Sequence, residues 1–117
     1  ISSSNKNIKG IFLECYEELA YTQLNNIRNK ALKKWKLSEC LIIHRIGKLN
    51  LGEKIVLIIT SSSHRTDSIK ACEFVIDSLK IDVAFWKFHL LDNGEKEMVR
   101  QKNKDREKIL NWREVIN

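Results

Sequence analysis

The apolar residues of this chain change their spacing along the sequence, and this change limits the elements that the chain can form. Residues 17–36 and residues from Thr66 to Lys80 carry apolar side chains three or four positions apart, which is typical of helices that pack on one side. The segments around them are short, apolar and rich in β-branched residues, which is typical of strands. The pattern predicts an α+β domain with helices packed on a sheet.

Strands are predicted at residues 8–16, 38–46, 54–60 and 83–91, with a short one near Met98. The segment GKLNLGE, residues 47–53, is predicted to be the turn between the second and third strands, and DNGE at residues 92–95 is a hairpin signal. The predicted order is therefore strand, helix, strand, strand, helix, strand, strand, helix.

Three helices complete this arrangement. The first covers residues 17–36, and its basic side chains lie mostly opposite its apolar ones. The second begins at Thr66, with Asp67 in its first turn, and is predicted to bury a stripe made of Ile69, Cys72, Ile76 and Leu79. A charged terminal helix is predicted at residues 105–116, with anchors at Ile109, Leu110 and Trp112.

Length and charge limit the function classes. The 117 residues are enough for one domain, residues 1–117, with a single core. A formal net charge of +6 favours anionic partners such as a phosphorylated metabolite, an acidic protein surface or nucleic acid. Nucleic acid is the weakest of these options, because the basic residues are spread over two helices and the terminal segment without an aromatic stacking pattern.

The cysteines and the hydropathy pattern predict a cytoplasmic protein. Cys15, Cys40 and Cys72 are odd in number, widely spaced and set in apolar segments, so they are predicted to be core residues in a reducing compartment. That spacing also argues against a zinc site. No apolar run approaches the length of about 20 residues that spans a bilayer, and residues 1–10 do not resemble a signal sequence.

An anion-binding position is predicted where the third strand passes into the second helix. His64 and Arg65 lie at this junction, where unpaired backbone N–H groups and the positive end of the helix dipole attract anions. The guanidinium fork of Arg65 suits a phosphate or a carboxylate. The alternative is an ordinary solvated loop, because loops often carry such residues.

Two lysines follow at the other end of this helix. Lys80 ends the helix, where the dipole alone favours a cation, whereas Lys87 follows Phe85 and Trp86 in a strand. Two partly desolvated lysines close together can supply an amine that acts as a base or a nucleophile. The alternative for Lys87 is a solvent-facing edge residue.

The remaining histidines carry weaker signals. His89 shares a strand face with Lys87, so it either joins that site or flanks it. His44 and Arg45 are predicted to be a packed or capping pair at a strand end. The chain has no Gly-rich phosphate loop, metal-ligand quartet or serine triad.

Four segments at matched separations carry a family resemblance: HRIGKLNLGEKIVLII at residues 44–59, SSSHR at 61–65, ACEFVIDSLK at 71–80 and AFWK at 84–87. Together they resemble the large, catalytic subunit of molybdopterin synthase, from about residue 8 to Lys87. The resemblance implies an α/β hammerhead fold with a mixed or antiparallel sheet. It also implies a homodimeric core that binds one ubiquitin-like small subunit at each far end, forming a heterotetramer.

The resemblance further implies a sulfurtransferase of molybdenum-cofactor biosynthesis. Its substrate would be cyclic pyranopterin monophosphate, and each sulfur of the dithiolene would come from the thiocarboxylated C-terminal glycine of the small subunit. No permanently bound cofactor or metal is expected. The implied catalytic residues are Lys80 and Lys87, and the implied substrate-binding residues are His64, Arg65, Lys80, Lys87, Phe88 and His89.

The chain departs from the family pattern at three places. The family's N-terminal Gly-rich strand, which ends in a pocket arginine, would lie immediately before Ile1 and is expected to be missing here. Ala84 replaces a proline, and His89 replaces an acidic residue, which changes the local proton balance. The alternative function is therefore a non-catalytic or truncated paralogue that binds the small subunit or an anionic ligand without turnover.

Overall fold

The computed structural model describes residues 8–99 and 107–112, and in this part of the chain it confirms the α+β prediction. The strands are β1 (Ile8–Cys15), β2 (Glu39–His44), β3 (Gly47–Asn50), β4 (Val56–Ser61), β5 (Phe85–Leu91) and β6 (Lys96–Met98). Two long helices, α1 (Glu17–Lys34) and α2 (Arg65–Ile81), separate them, and residues 107–112 are also helical. No described helix is long and apolar enough to cross a membrane.

The strands form two antiparallel sheets. One has four strands in the order β3-β1-β5-β6, so the first strand of the described chain lies inside the sheet. The other pairs β2 with β4, from Glu39 opposite Ser61 to His44 opposite Val56. The predicted hairpin at residues 92–95 is confirmed, because β6 follows it and pairs with β5.

The main core lies where both helices meet the inner face of the two-stranded sheet. Each strand of this sheet alternates, so that every second side chain points toward the helices. Cys40 is buried there, and Ile42, Val56 and Ile58 pack against the same cluster. A second, small cluster of Ile11, Leu13 and Leu49 lies on the four-stranded sheet with Ile55 against it. Cys40 thus confirms the prediction of a core cysteine, whereas Cys15 and Cys72 are half-buried.

The predicted turn at residues 47–53 is wrong, because its first half is strand β3. Gly47 takes a φ of +86° and starts this strand, which pairs with β1, and Leu49 is completely buried against Ile11 and Leu13. The real turn is Leu51–Gly52, with a φ of +84° at Gly52. Leu49 is the only buried residue of this strand, so the sequence shows no alternating pattern there. Strand β3 could be recognised only from its pairing with the distant strand β1.

The buried stripe of α2 is also corrected. Ile69 is 57% exposed and Cys72 and Ile76 are half-buried, so only Leu79 of the predicted stripe is buried. The residues that face the core are Ala71, Phe74, Val75, Asp77, Ser78 and Leu79. Both sets have helical spacing, and the choice between them depends on the position of α1 and β4 around the helix.

The helix ends shift slightly from the prediction. The second helix begins one residue early, at Arg65, and α1 ends at Lys34. Lys36, which was predicted to be the last residue of α1, has a φ of +50°, a left-handed conformation that ends a helix.

The C-terminal helical residues dock on α2. The indole Nε1–H of Trp112 donates to Oδ2 of Asp77 at 2.8 Å, and Ile109 is buried. These two anchors are confirmed, but Leu110 is 55% exposed and is not an anchor. Residues 105–106 and 113–116 of the predicted helix lie outside the described residues.

Candidate active site

The junction between β4 and α2 has the predicted geometry. His64 occupies the N-cap of α2 in an extended conformation, its side chain makes no capping hydrogen bond, and both His64 and Arg65 are exposed. The hydroxyl of Thr60 donates to the backbone oxygen of Ser68 at 2.7 Å, which ties β4 to the first turn of the helix. The junction therefore presents an arginine beside a helix start without a side-chain cap, as an anion seat requires.

The other end of α2 carries the two lysines on either side of a short turn. Lys80 is in the last turn of the helix and Lys87 is the third residue of β5, and both are exposed. The backbone N–H of Ala84, within the turn, donates to Oε1 of Gln23 on α1 at 2.8 Å, and Val83 is buried. Helix α1 thus holds the backbone turn between Lys80 and Lys87 in place.

His44 packs against the strand that carries Lys87. Its ring stacks on Phe85, with centroids 4.1 Å apart, and Phe85 opens the strand that carries Lys87. Burial lowers the pKa of His44, and the contact of Nδ1 with the backbone oxygen of Arg45 only partly offsets this effect. The predicted packing is confirmed for His44, whereas Arg45 is exposed and forms an ion pair with Glu53 at 2.9 Å.

Strand β5 divides the predicted substrate-binding residues between its two faces. Lys87 pairs with Leu13 and His89 with Ile11, so both lie on the face that holds the small core cluster. Phe88 pairs with Phe12 and Met98 on the opposite face. The structure therefore brings His89 to the face of Lys87, but it does not bring Phe88 there.

A carboxylate on the neighbouring strand lies opposite His89. Glu97 on β6 is the direct cross-strand partner of His89, and directly paired residues of antiparallel strands lie on the same face. Lys87, His89 and Glu97 therefore share one face of the sheet. Reading along β5 alone missed Glu97, because β6 is short and joins the site only through the hairpin.

The two predicted parts of the site are at opposite ends of one helix. Arg65 begins α2 and Lys80 lies in its last turn, so their backbones are about 22 Å apart at a rise of 1.5 Å per residue. Gln23 and His44, which support only the lysine end, gave no sequence signal for this role. Within one chain, the structure does not bring His64 and Arg65 to the lysines.

The cysteine thiols and the possible metal ligands do not favour thiolate or metal chemistry. Burial raises the pKa of the Cys40 thiol, and the nearby Cys72 raises it further, against the opposing effect of Arg28. Burial also raises the pKa of Cys15. These shifts disfavour the nucleophilic thiolate form of both residues. Among the described residues, no group of three His, Cys, Asp or Glu side chains could hold a metal ion.

Comparison with known proteins identifies the family. A family model described as "MoaE protein" matches residues 2–82, more than half of the chain. The chain belongs to the MoaE family. The match includes His64, Arg65 and Lys80, and it ends before Lys87.

Relatives of the MoaE family extend the comparison through Lys87. The molybdopterin synthase catalytic subunit of Haemophilus ducreyi is 37% identical over 107 residues, which cover 92% of this chain and 70% of that protein. A span of this length includes residues 64–87 wherever it starts. The MoaE protein of Burkholderia ambifaria has a TM-score of 0.75 at 31% identity, covering 90% of this chain and 71% of that one.

A molybdopterin synthase structure from Staphylococcus aureus gives a TM-score of 0.77 at 28% identity, over 83% of this chain and 71% of the other. These MoaE-family comparisons confirm the predicted fold class and the resemblance read from the four segments.

Proposed function

We propose that this chain is the catalytic subunit of a molybdopterin synthase. In this role it transfers sulfur from the thiocarboxylated C-terminal glycine of a ubiquitin-like small subunit to cyclic pyranopterin monophosphate, which forms the dithiolene of molybdopterin. The observation that carries the proposal is the 37% identity to a molybdopterin synthase catalytic subunit over a span that includes the anion seat and both lysines.

The lysine end of α2 suits the sulfur-transfer step. Lys80 and Lys87 are exposed on the two sides of a turn that Gln23 holds in place. A thiocarboxylate is anionic, and fixed cations beside it stabilise the negative charge that moves during transfer. Lys87 also shares its face with His89 and Glu97, which offer a route for a proton. The lysines are therefore the proposed catalytic residues.

The other end of α2 suits the phosphate of the substrate. Arg65 offers a bidentate fork and His64 lies at the helix start, and both side chains are exposed. Because this seat is about 22 Å from Lys80 along the helix, we assign the seat and the lysines of one site to two different copies of the chain. His89 and Phe88 flank the lysine half of the site.

The assembly follows from this division. A homodimer contains two complete sites, and each takes the C-terminal Gly-Gly tail of one small subunit. The tail is thin, and its anionic end is drawn toward Lys80 and Lys87, where it excludes water and holds the sulfur near the substrate. The proposal includes a cytoplasmic location, in keeping with three free cysteines, and no permanently bound cofactor.

The test is molybdopterin formation from purified components. The chain, the cyclic precursor and a thiocarboxylated small subunit should yield product and a two-plus-two complex by light scattering. A small subunit without its last two glycines is the matched control, which should still dock but give no turnover. If the intact components dock but form no product, the chain is instead a non-catalytic paralogue that binds the small subunit without turnover.

A further inference from the structure

The turn between α2 and β5 is short and connects the elements that carry the two lysines. The backbone N–H of Asp82 donates to the backbone oxygen of Ser78 at 2.7 Å and closes the helix. The backbone N–H of Phe85, which opens β5, donates to the backbone oxygen of Val83 at 2.9 Å. Val83 itself is buried in the main core. Ala84 therefore lies between a fixed helix end and the start of the strand.

The hydrogen bond from Phe85 to Val83 makes Ala84 the centre of a γ-turn, in which one hydrogen bond spans three residues. Among the described residues that are not glycine, only Lys36 has a positive φ, so the φ of Ala84 is negative. The turn is therefore an inverse γ-turn, whose central residue has a φ of about −75° and a ψ of about +65°. These two angles set the direction in which β5 leaves the end of the helix.

The start of β5 is paired on one side only among the described strands. Phe85 and Trp86 pair with β1, whereas β6 begins its pairing with β5 at Phe88. Lys87 follows these two residues directly, so the position of its backbone depends on how well the preceding turn is fixed.

Gln23 holds Ala84 from outside the turn. Its Oε1 accepts from the backbone N–H of Ala84 at 2.8 Å in a partly buried position, across 61 residues of sequence. Gln23 belongs to α1, which packs against α2, so the acceptor is attached to a rigid element. A hydrogen bond to this N–H fixes the orientation of the peptide plane before Ala84, and it therefore restricts the φ of that residue.

We propose that Gln23 is a positioning residue for the reaction, because it holds Ala84 in the inverse γ-turn. The turn then keeps Lys87 at a constant position relative to Lys80. This inference rests on the proposed function, in which both lysines act on one anionic group. A displacement of about 1 Å in a reacting group can lower a rate about a hundredfold, so a hydrogen bond outside the site can control turnover.

The variant Ala84→Pro separates the geometry of the turn from the hydrogen bond of Gln23. Proline has a φ of about −65° and no backbone N–H, so it fits the centre of an inverse γ-turn and needs no acceptor. The hydrogen bond of the turn uses groups of Val83 and Phe85, which this substitution leaves in place. The proline ring thus fixes the φ that Gln23 otherwise fixes through its side chain.

The test is single-turnover product formation with saturating cyclic precursor and thiocarboxylated small subunit. Gln23→Leu removes the acceptor and should lower the rate about tenfold, with precursor affinity unchanged. The double variant Gln23→Leu/Ala84→Pro should return to within about twofold of the wild-type rate. Asn26→Leu, at an exposed position of the same helix, is the matched control and should keep the wild-type rate.

The order of the turn can be measured without turnover. NMR relaxation should give amide order parameters of about 0.85 for Val83 and Phe85 in the wild type and below about 0.6 in Gln23→Leu, with recovery in the double variant. The amide of Leu49, buried in the small core cluster, should be unchanged. Circular dichroism identifies a double variant that fails to fold. Gln23→Glu, which keeps the acceptor oxygen, then replaces it and should keep the wild-type rate and order.

An ordered turn in Gln23→Leu, or a normal rate in this variant beside an active wild type, would overturn this inference alone. A folded double variant that stays as slow as Gln23→Leu would overturn it as well, and so would a slow Gln23→Glu. A wild-type chain that forms no product would overturn the proposed function together with this inference.

Discussion

The two ends of α2 are held by contacts from different parts of the sequence. The N-terminal end, at His64 and Arg65, follows a strand directly and is held by short hydrogen bonds between neighbouring elements, such as that from Thr60 to Ser68. The C-terminal end, at Lys80, is held by groups that come from far away in the sequence: Gln23 of α1 bonds the following turn, and His44 of β2 stacks on Phe85.

This difference has a physical meaning for the two proposed roles. An anion seat at a helix start needs only local backbone geometry and one cation, so a short motif can encode it. The proposed sulfur transfer uses two cations held at fixed positions relative to each other, which requires rigid surroundings. The long-range contacts are concentrated at the end that carries the two proposed catalytic lysines.

The largest expected effect is at the lysine end. Lys80→Ala or Lys87→Ala should lower turnover about a hundredfold or more, because a positioned charge or acid-base group is lost, while the fold survives. Single-turnover product formation is the measurement. Lys70→Ala and Lys9→Ala, which remove exposed lysines from the same helix and the same sheet, are the controls. Near-normal turnover in a site variant would remove that lysine from the mechanism.

A smaller effect is expected at the anion seat. Arg65→Ala should weaken precursor binding about tenfold and flatten its salt dependence, because one charge-assisted contact is lost. Arg65→Lys should restore only part of the affinity, since it lacks the fork. Calorimetry at two salt concentrations measures both, with Lys70→Ala as the control. Unchanged affinity in Arg65→Ala would place the phosphate elsewhere.

The support of the lysine end can be tested through stability. Trp112→Phe removes the donor to Asp77, which is buried and lies one turn before Ile81. The free energy of unfolding should fall by about 1–3 kcal/mol, because a buried carboxylate loses a hydrogen bond to Oδ2 and keeps only the ion pair of Oδ1 with Lys108 at 3.9 Å. Leu110→Ala, at an exposed position of the same helix, should change it by no more than about 0.5 kcal/mol. Equal losses in urea denaturation would show that this hydrogen bond contributes nothing specific.

The smallest effect concerns pH. Because burial lowers the pKa of His44, the folded chain binds this proton less well than the unfolded chain does. Stability from this group is therefore complete above the ordinary histidine range and is lost as the pH falls below about 6.5. His44→Phe keeps an aromatic stack and should flatten the denaturation midpoint between pH 7.5 and 5.5. Leu110→Ala, which removes an exposed side chain that does not titrate, is the control and should leave the slope unchanged.

Much of the fold was predictable because its signals are local. The strand at β1, both helices, the β5–β6 hairpin and the junction at His64 all depend on spacing or turn residues within a few positions. The resemblance of four short segments then identified the family. Strand β3 was missed because Leu49 is its only buried residue, and its pairing with β1 joins segments more than 30 residues apart.

The candidate site could likewise be predicted only in part from the sequence. The positions of Lys80 and Lys87 on a helix end and a strand could be predicted, but the strand register that adds Glu97 to their face and turns Phe88 away could not. The contributions of Gln23 and His44 were equally hidden, because a polar helix residue and a strand-end histidine carry no signal for a distant partner.

The sequence by itself determined the α+β class, the order of most elements, the basic character and the family, because these properties depend on composition, period and short motifs. Tertiary structure alone decided which face of α2 is buried, which strand joins Glu97 to the face of Lys87, and that the two-stranded sheet leaves Leu41, Ile43, Leu57 and Ile59 about half exposed. Those properties depend on which distant segments pack together, since two faces of one helix or strand with the same periodicity differ only in their neighbours.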